Sequence, residues 1–147
     1  MNFFEFAENI NRYPIDKLVD DIQIAIEKNA KVLELQKNQW QEGKDSNGNL
    51  LGLYSYATEI LSGGRKKKGE PFDLYDTGDF YKKTNLFGEQ KNNDITFFFD
   101  SDGTNAGKLL DRLGERIFGL QKKNIDITTE IVQETMCDLI NKNLKLK

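Results

Sequence analysis

The chain has no histidine and a single cysteine, Cys137. Without histidine there is no imidazole base for Ser-His-Asp or Cys-His catalysis, and the commonest transition-metal ligand is missing. One cysteine forms neither an internal disulfide nor a cysteine zinc site. Cys137 falls on a helical pattern beside Met136 and Leu139, with no Lys or Arg next to it. It reads as a small packing residue rather than a reactive thiol. Apolar runs are short, and none approaches the ~20 residues that a membrane span needs. The first residues carry Glu5 and no basic cluster, so a secretory leader is not expected. Excess charge is also small: the net value is −3, too little to draw the chain to nucleic acid as a whole.

Large apolar side chains are what the chain does have. Ten Phe, five Tyr and one Trp in 147 residues supply one domain with one core and no need for covalent staples. Residues 1–42 read as a helical N-terminal part. A short helix covers 2–11, with Phe3, Phe6, Ala7 and Ile10 at helical spacing. Pro14 suits the first position of a second helix. From there Leu18, Val19, Ile22, Ala25, Ile26, Asn29, Val32, Leu33, Gln36 and Trp40 share one face. The spacing predicts a single helix from Pro14 to Glu42, a rod of roughly 40 Å at ~1.5 Å per residue, stopped by Gly43.

Residues 43–79 read as a loop-rich arm. Asp45-Ser46-Asn47-Gly48-Asn49 is dense in turn formers. Residues 62–71 hold a flexible basic loop in which Arg65, Lys66, Lys67 and Lys68 stay in solvent. Residues 80–147 read as a sheet and C-terminal helices. Phe80 to Phe87 is the first strand of a hairpin lying at about 80–100. Residues 90–94 connect it to Ile95-Thr96-Phe97-Phe98-Phe99. Ile95, Phe97 and Phe99 share one face and Phe98 lies on the other. A helix follows from Ala106 to Glu115. A last helix is capped by Thr128 or Thr129, buries Ile131, Val132, Thr135, Met136, Leu139, Ile140 and Leu144, and ends among Lys142, Lys145 and Lys147. The expected fold class is α+β, a small antiparallel sheet packed on helices with long loops.

Asp76-Thr77-Gly78 is the sharpest motif. In acid proteases two such aspartates share a proton and activate water, so one copy requires a homodimer of the retroviral type. The flanks differ from that family, with Asp73 and Tyr75 before the triplet and Asp79 after it. The other reading is a structural turn in which Asp76 or Thr77 bonds nearby N–H groups and Gly78 takes positive φ. The stretches 45–49 and 100–105 look like calcium loops but lack the distal bidentate Glu, so surface turns are the better reading. No metal or other cofactor is expected. Candidate interface residues are Trp40, Tyr54, Tyr56, Arg65, Lys66, Lys67, Lys68 and Phe98. Phe98 stands out because its strand face otherwise carries Thr96 and Asp100.

The order of parts adds a family likeness. A long N-terminal helix precedes residues 45–52 and Tyr54-Ser55-Tyr56-Ala57-Thr58. The Lys-rich glycine loop, Leu74-Tyr75-Asp76-Thr77-Gly78-Asp79-Phe80-Tyr81 and Leu110-Asp111-Arg112-Leu113-Gly114-Glu115-Arg116-Ile117-Phe118 follow. This order resembles small head–tail joining or tail-completion proteins of tailed phages, especially those infecting Bacteroidetes, over roughly residues 35–120. The resemblance implies a structural virion protein without catalysis, assembled in the bacterial host cytoplasm and placed in the neck or tail. It implies a homo-oligomeric ring of roughly six or twelve copies, next to portal, neck or tail proteins. In such a ring the basic loop faces protein neighbours or DNA in the lumen, and Asp76, Thr77 and Gly78 aim the strand that starts near Phe80. A dimeric aspartic hydrolase and a helical protein-binding adaptor are the alternatives.

Overall fold

The computed structural model of the protein describes residues 2–145; Lys147 lies outside the described residues. Its element order is α1 (Phe3–Arg12), α2 (Ile15–Glu27), α3 (Ala30–Gln41), α4 (Tyr56–Leu61), α5 (Asp79–Lys82), β1 (Thr84–Lys91), β2 (Asp94–Ser101), α6 (Ala106–Leu113), a 3₁₀ turn at Glu115–Ile117, and α7 (Lys122–Leu144). The fold is α+β, with helices around one antiparallel hairpin.

The expected single rod is two helices. Asn29 leaves the helical region at ψ 103, and its side chain accepts hydrogen bonds from the N–H groups of Lys31 and Val32. An Asn carbonyl that satisfies those donors offers the backbone an alternative to continuing the helix. The apolar stripe runs across this break, which is why spacing alone does not register it. Pro14 stands just before α2 as its N-cap, extended at ψ 162. Gly43 does end α3, at φ 69, where a Cβ would fall 2.4 Å from the Pro71 Cβ. That close approach ties the end of α3 to the far side of the arm.

The hairpin keeps the expected pairing of aromatic and β-branched segments, but its first strand begins at Thr84. Phe80 and Tyr81 belong instead to α5, a single helical turn with Gly78 at its N-cap. The two strands pair in register from Thr84↔Ser101 to Lys91↔Asp94, with Asn92 at φ 57 in the two-residue turn. Likewise α7 begins at Lys122, well before Thr128 and Thr129. Those threonines are mid-helix and return their hydroxyls to the carbonyls of Asn124 and Ile125. Cys137 is exposed and lies off the buried stripe, and Met136 is 37% exposed.

Two apolar clusters organise the molecule. The first joins Trp40, Leu51, Leu74, Phe80, Tyr81, Ala106 and Ile117, with Phe72 and α6 leucines against it. The second joins Ile22, Ile26, Val32, Leu86, Phe99 and Ile131, with Ile95, Phe97 and α7 residues against it. Phe118 packs on both. Trp40 is fully buried and stacks against Phe80 and Tyr81 at centroid distances of 4.8 and 5.3 Å. It is a core residue, which corrects its reading as an interface candidate.

Candidate functional site

The arm between α3 and α5 is an ordered structure. Asp45 opens it from inside: only 1% of the residue is exposed. Its Oδ1 accepts the N–H groups of Asn47 and Asn49 at 2.9 and 2.8 Å, and Oδ2 accepts from Arg116 Nη1 at 3.3 Å. The 45–49 stretch is therefore a surface turn, as expected, with Asn47 and Asn49 exposed, but it is built on a buried carboxylate. Beyond it, isolated bridges pair Lys44 with Leu50 and Leu53 with Pro71, so the arm folds back along itself. Ser55 caps α4 by accepting the Thr58 N–H.

The basic loop is held in place by its own backbone. The N–H groups of Lys66, Lys67 and Lys68 donate to Ser62 Oγ, Glu70 Oε2 and Glu59 Oε2. Lys66 also departs from the expected solvated state. Its side chain is 17% exposed, and Nζ donates to both Asp73 oxygens at 2.6 and 2.8 Å. The ammonium lies 5.3 Å from the Tyr54 ring centroid and 5.9 Å from that of Tyr75, within reach of cation–π attraction. Arg65, Lys67 and Lys68 remain exposed.

Asp73 is the hub of this cluster. Its Oδ1 accepts from the Tyr54 hydroxyl at 2.7 Å and from the Tyr75 N–H at 2.9 Å. The Tyr81 hydroxyl donates to the Asp73 carbonyl. Burial pushes the Asp73 carboxyl up, but hydrogen bonds from Lys66, Tyr54 and Tyr75 outweigh it and hold the group below its ordinary value. Burial likewise opposes the Lys66 charge, and Asp73 overcomes it, so the ammonium sits above its ordinary value. Burial, then the bond to Asp73, raises the Tyr54 phenol. Tyr81 is raised by burial first and by the Asp73 charge second. These ties enclose Leu74, which is buried at φ 54, a conformation that costs a residue with a Cβ about 1–2 kcal/mol.

Asp76-Thr77-Gly78 follows directly. Gly78 takes φ 83, and Thr77 Oγ1 accepts the Asp79 N–H at 3.3 Å. A Cβ on Gly78 would meet the Tyr75 hydroxyl at 2.9 Å. The triplet thus starts the helical turn α5 rather than aiming a strand at Phe80. Asp76 is exposed and no described residue bonds its carboxylate. Asp79 is the acidic anchor: it accepts the N–H and hydroxyl of Thr104 at 2.7 and 2.9 Å and pairs with Lys83. These bonds, the Thr104 N–H foremost, hold its carboxyl below the ordinary range.

Together the arm, this turn and α6 border an open groove of about 450 Å³. Lys66, Tyr75, Asp76 and Thr77 lie on one side, and Lys108 and Arg112 on the other. Arg112 itself stacks on Phe72 at 4.9 Å. The structure brings Tyr54 and Lys66 together with the Asp76-Thr77-Gly78 turn. It leaves Tyr56 exposed on α4, and Phe98 apart on the hairpin, stacked on Phe87 at 5.7 Å. Large apolar side chains stand in solvent on the same arm: Leu53, Tyr56, Ile60 at 61% and Leu61 at 88% exposed.

Sequence reasoning missed Asp73 as a hub, and it missed Gln39. Buried Gln39 donates to the carbonyls of Asp45 and Gly119 and accepts from the Gln121 N–H and from Asn124. Gln36 and Trp40 grip Ile117 and Gly119 in the same way. Gln36, Gln39 and Trp40 stand three and four residues apart, so helical spacing carried that signal. Among the described residues no cluster of acidic, Cys or His groups is placed to hold a metal ion, and no helix is long and apolar enough to cross a membrane. Compared with known proteins, the chain matches no family model, no curated protein and no solved structure.

Proposed function

We propose that this protein is a structural, non-catalytic subunit of a tailed-phage virion. It is assembled in the host cytoplasm into a ring at the neck or tail, against portal, neck or tail proteins. One observation carries the assembly part of this reading. The arm is rigidly built around Asp45 and Asp73, yet it presents Leu53, Tyr56, Ile60 and Leu61 to solvent. Apolar side chains grouped on an ordered projection mark a surface that another protein covers. A closed ring uses such a projection by seating it on a different face of the next copy. The phage assignment rests on the order of parts read from the sequence, and the hairpin and long C-terminal helix suit it.

The groove beside Asp76 supports positioning better than chemistry. Lys66 is paired with Asp73, and Asp79 with Thr104 and Lys83, while Asp76 stands alone just before a helical turn. Exposed Arg65, Lys67 and Lys68 are the groups available to phosphates in a lumen or to an acidic neighbour. Native mass across a concentration series tests the assembly. The expected result is one discrete oligomer of roughly six or twelve copies, broken to monomer by the double change Ile60→Ser and Leu61→Ser. A monomer at every concentration, also with adjoining virion proteins added, sinks the ring. A clean dimer would call for a peptidase assay, in which loss of cleavage on Asp76→Asn would replace this reading with the hydrolase.

A further inference from the structure

The hairpin has two outer edges, and they differ. On β1, Gly88 turns both backbone groups outward, and α2 meets them: the N–H donates to Glu27 Oε1 and the carbonyl accepts from Gln23 Nε2, both at 2.7 Å. At Gly88 that edge is closed by α2. It also fixes the ladder, because Gly88 and its partner Phe97 form a pair that does not exchange hydrogen bonds across the strands. The alternation then turns the N–H and C=O groups of Ile95, Phe97 and Phe99 away from β1. Asp102 fits the same alternation, donating to Lys83 just beyond the last pair. Among the described residues no group bonds the outward atoms of Ile95, Phe97 or Phe99. An apolar groove of about 830 Å³ runs beside this edge, floored by Val32, Phe118, Leu120, Ile125 and Val132.

We propose that the β2 edge takes an added strand from another protein. The strand is extended, has apolar residues at alternate positions, and carries a basic residue at each end. Backbone groups left open on one edge ask for a strand. The groove asks for small apolar side chains on the inward face of that strand, spaced two residues apart. Charge selects the ends. The outer face of β2 runs Asp94, Thr96, Phe98, Asp100, acidic at both ends. Among the described residues, the charged ones lining the groove are Asp100 and Glu115. A second copy pairing β2 with β2 in antiparallel fashion would set Asp94 against Asp100, which is unfavourable. Two Lys or Arg six positions apart on the incoming strand face both. This inference is independent of the virion reading, since it concerns the edge and not the arm.

The probe is the heptapeptide Lys-Val-Thr-Val-Thr-Val-Lys, which places its valines inward and its lysines opposite Asp94 and Asp100 in an antiparallel ladder. Hydrogen exchange of the intact protein is followed residue by residue. The expected result is that saturating peptide slows exchange at Ile95, Phe97 and Phe99, leaving the β1–β2 amides unchanged. The same peptide N-methylated on its valines should give no protection. Replacing both lysines by Glu should weaken binding about tenfold or more at low salt. Absence of protection, or equal binding of the N-methylated peptide, overturns the proposal. Protection of the same three amides by raising the protein concentration alone overturns the choice of partner, because it would show a second copy on the edge.

Discussion

The two apolar clusters of this chain are built on the same helical stripe, and one is tied down by buried polar bonds while the other lies open along the larger groove. Around Trp40, polar groups lock the surroundings. Gln36, Gln39 and the indole N–H bond the carbonyls of 117–119, and Asp45 ties the arm to Arg116. Around Ile26 the side chains are apolar, and the hairpin leans on α2 and α7 beside a long groove. The lesson concerns what closes a core. Apolar area draws both clusters together, but around Trp40 directional bonds also fix a backbone segment against the core.

The largest expected break of that contrast is Trp40→Ala. Loss of the ring and its bond to Ile117 should cost about 3–5 kcal/mol in urea unfolding. A loss below about 1 kcal/mol would show that the Trp40 side is not the stability centre. Next is Asp45→Ala, which leaves the Asn47 and Asn49 N–H groups and one end of Arg116 without their acceptor. About 2–3 kcal/mol is expected, with hydrogen exchange rising first at 45–51.

Asp73→Asn comes third, at about 1–2 kcal/mol, and it carries a pH signature. The Asp73 carboxyl lies below its ordinary 3.8, so its contribution is complete above that value and drains away as pH falls through the lower folded value. Lys66 lies above its ordinary 10.5, so its contribution is present below 10.5 and is lost as pH rises through the higher folded value. The ring signals of Tyr54, whose hydroxyl donates to Asp73, should therefore hold steady at neutral pH and shift in acid, and the acid shift should vanish in the Asn variant. The smallest effect is expected on the open side: Phe98→Ser removes one stacked pair with Phe87 and should cost less than about 1 kcal/mol. A cost near that of Trp40→Ala would mean the two sides are not so different.

Much of the architecture was legible. The hairpin shows in its run of aromatic and β-branched residues, and Ile95, Phe97 and Phe99 do face inward. Gly43 and Gly78 take the positive φ their positions required. The boundaries that failed share a cause: a side-chain oxygen can cap a helix or bond within one, and spacing does not say which. Asn29 looked like part of a stripe and is a cap. Thr128 and Thr129 looked like caps and bond back one turn. Gln121 begins α7 with no side-chain cap bond at all, so nothing local marked the start. In the site, Lys66 was read from its neighbours in sequence as one of four solvated charges. Its fate is set by Asp73, seven positions on, and by two rings that only the folded arm brings over it. Tertiary pairing of that kind leaves no periodic trace.

Among the described residues, Phe118 is the one side chain that packs on both clusters, and this governs how the molecule comes apart. Two cores that share a single wedge melt together only while the wedge transmits the loss of one to the other. Shortening it in Phe118→Ala uncouples them. Heating should then give two separated transitions, the hairpin side first, where the native chain should give one.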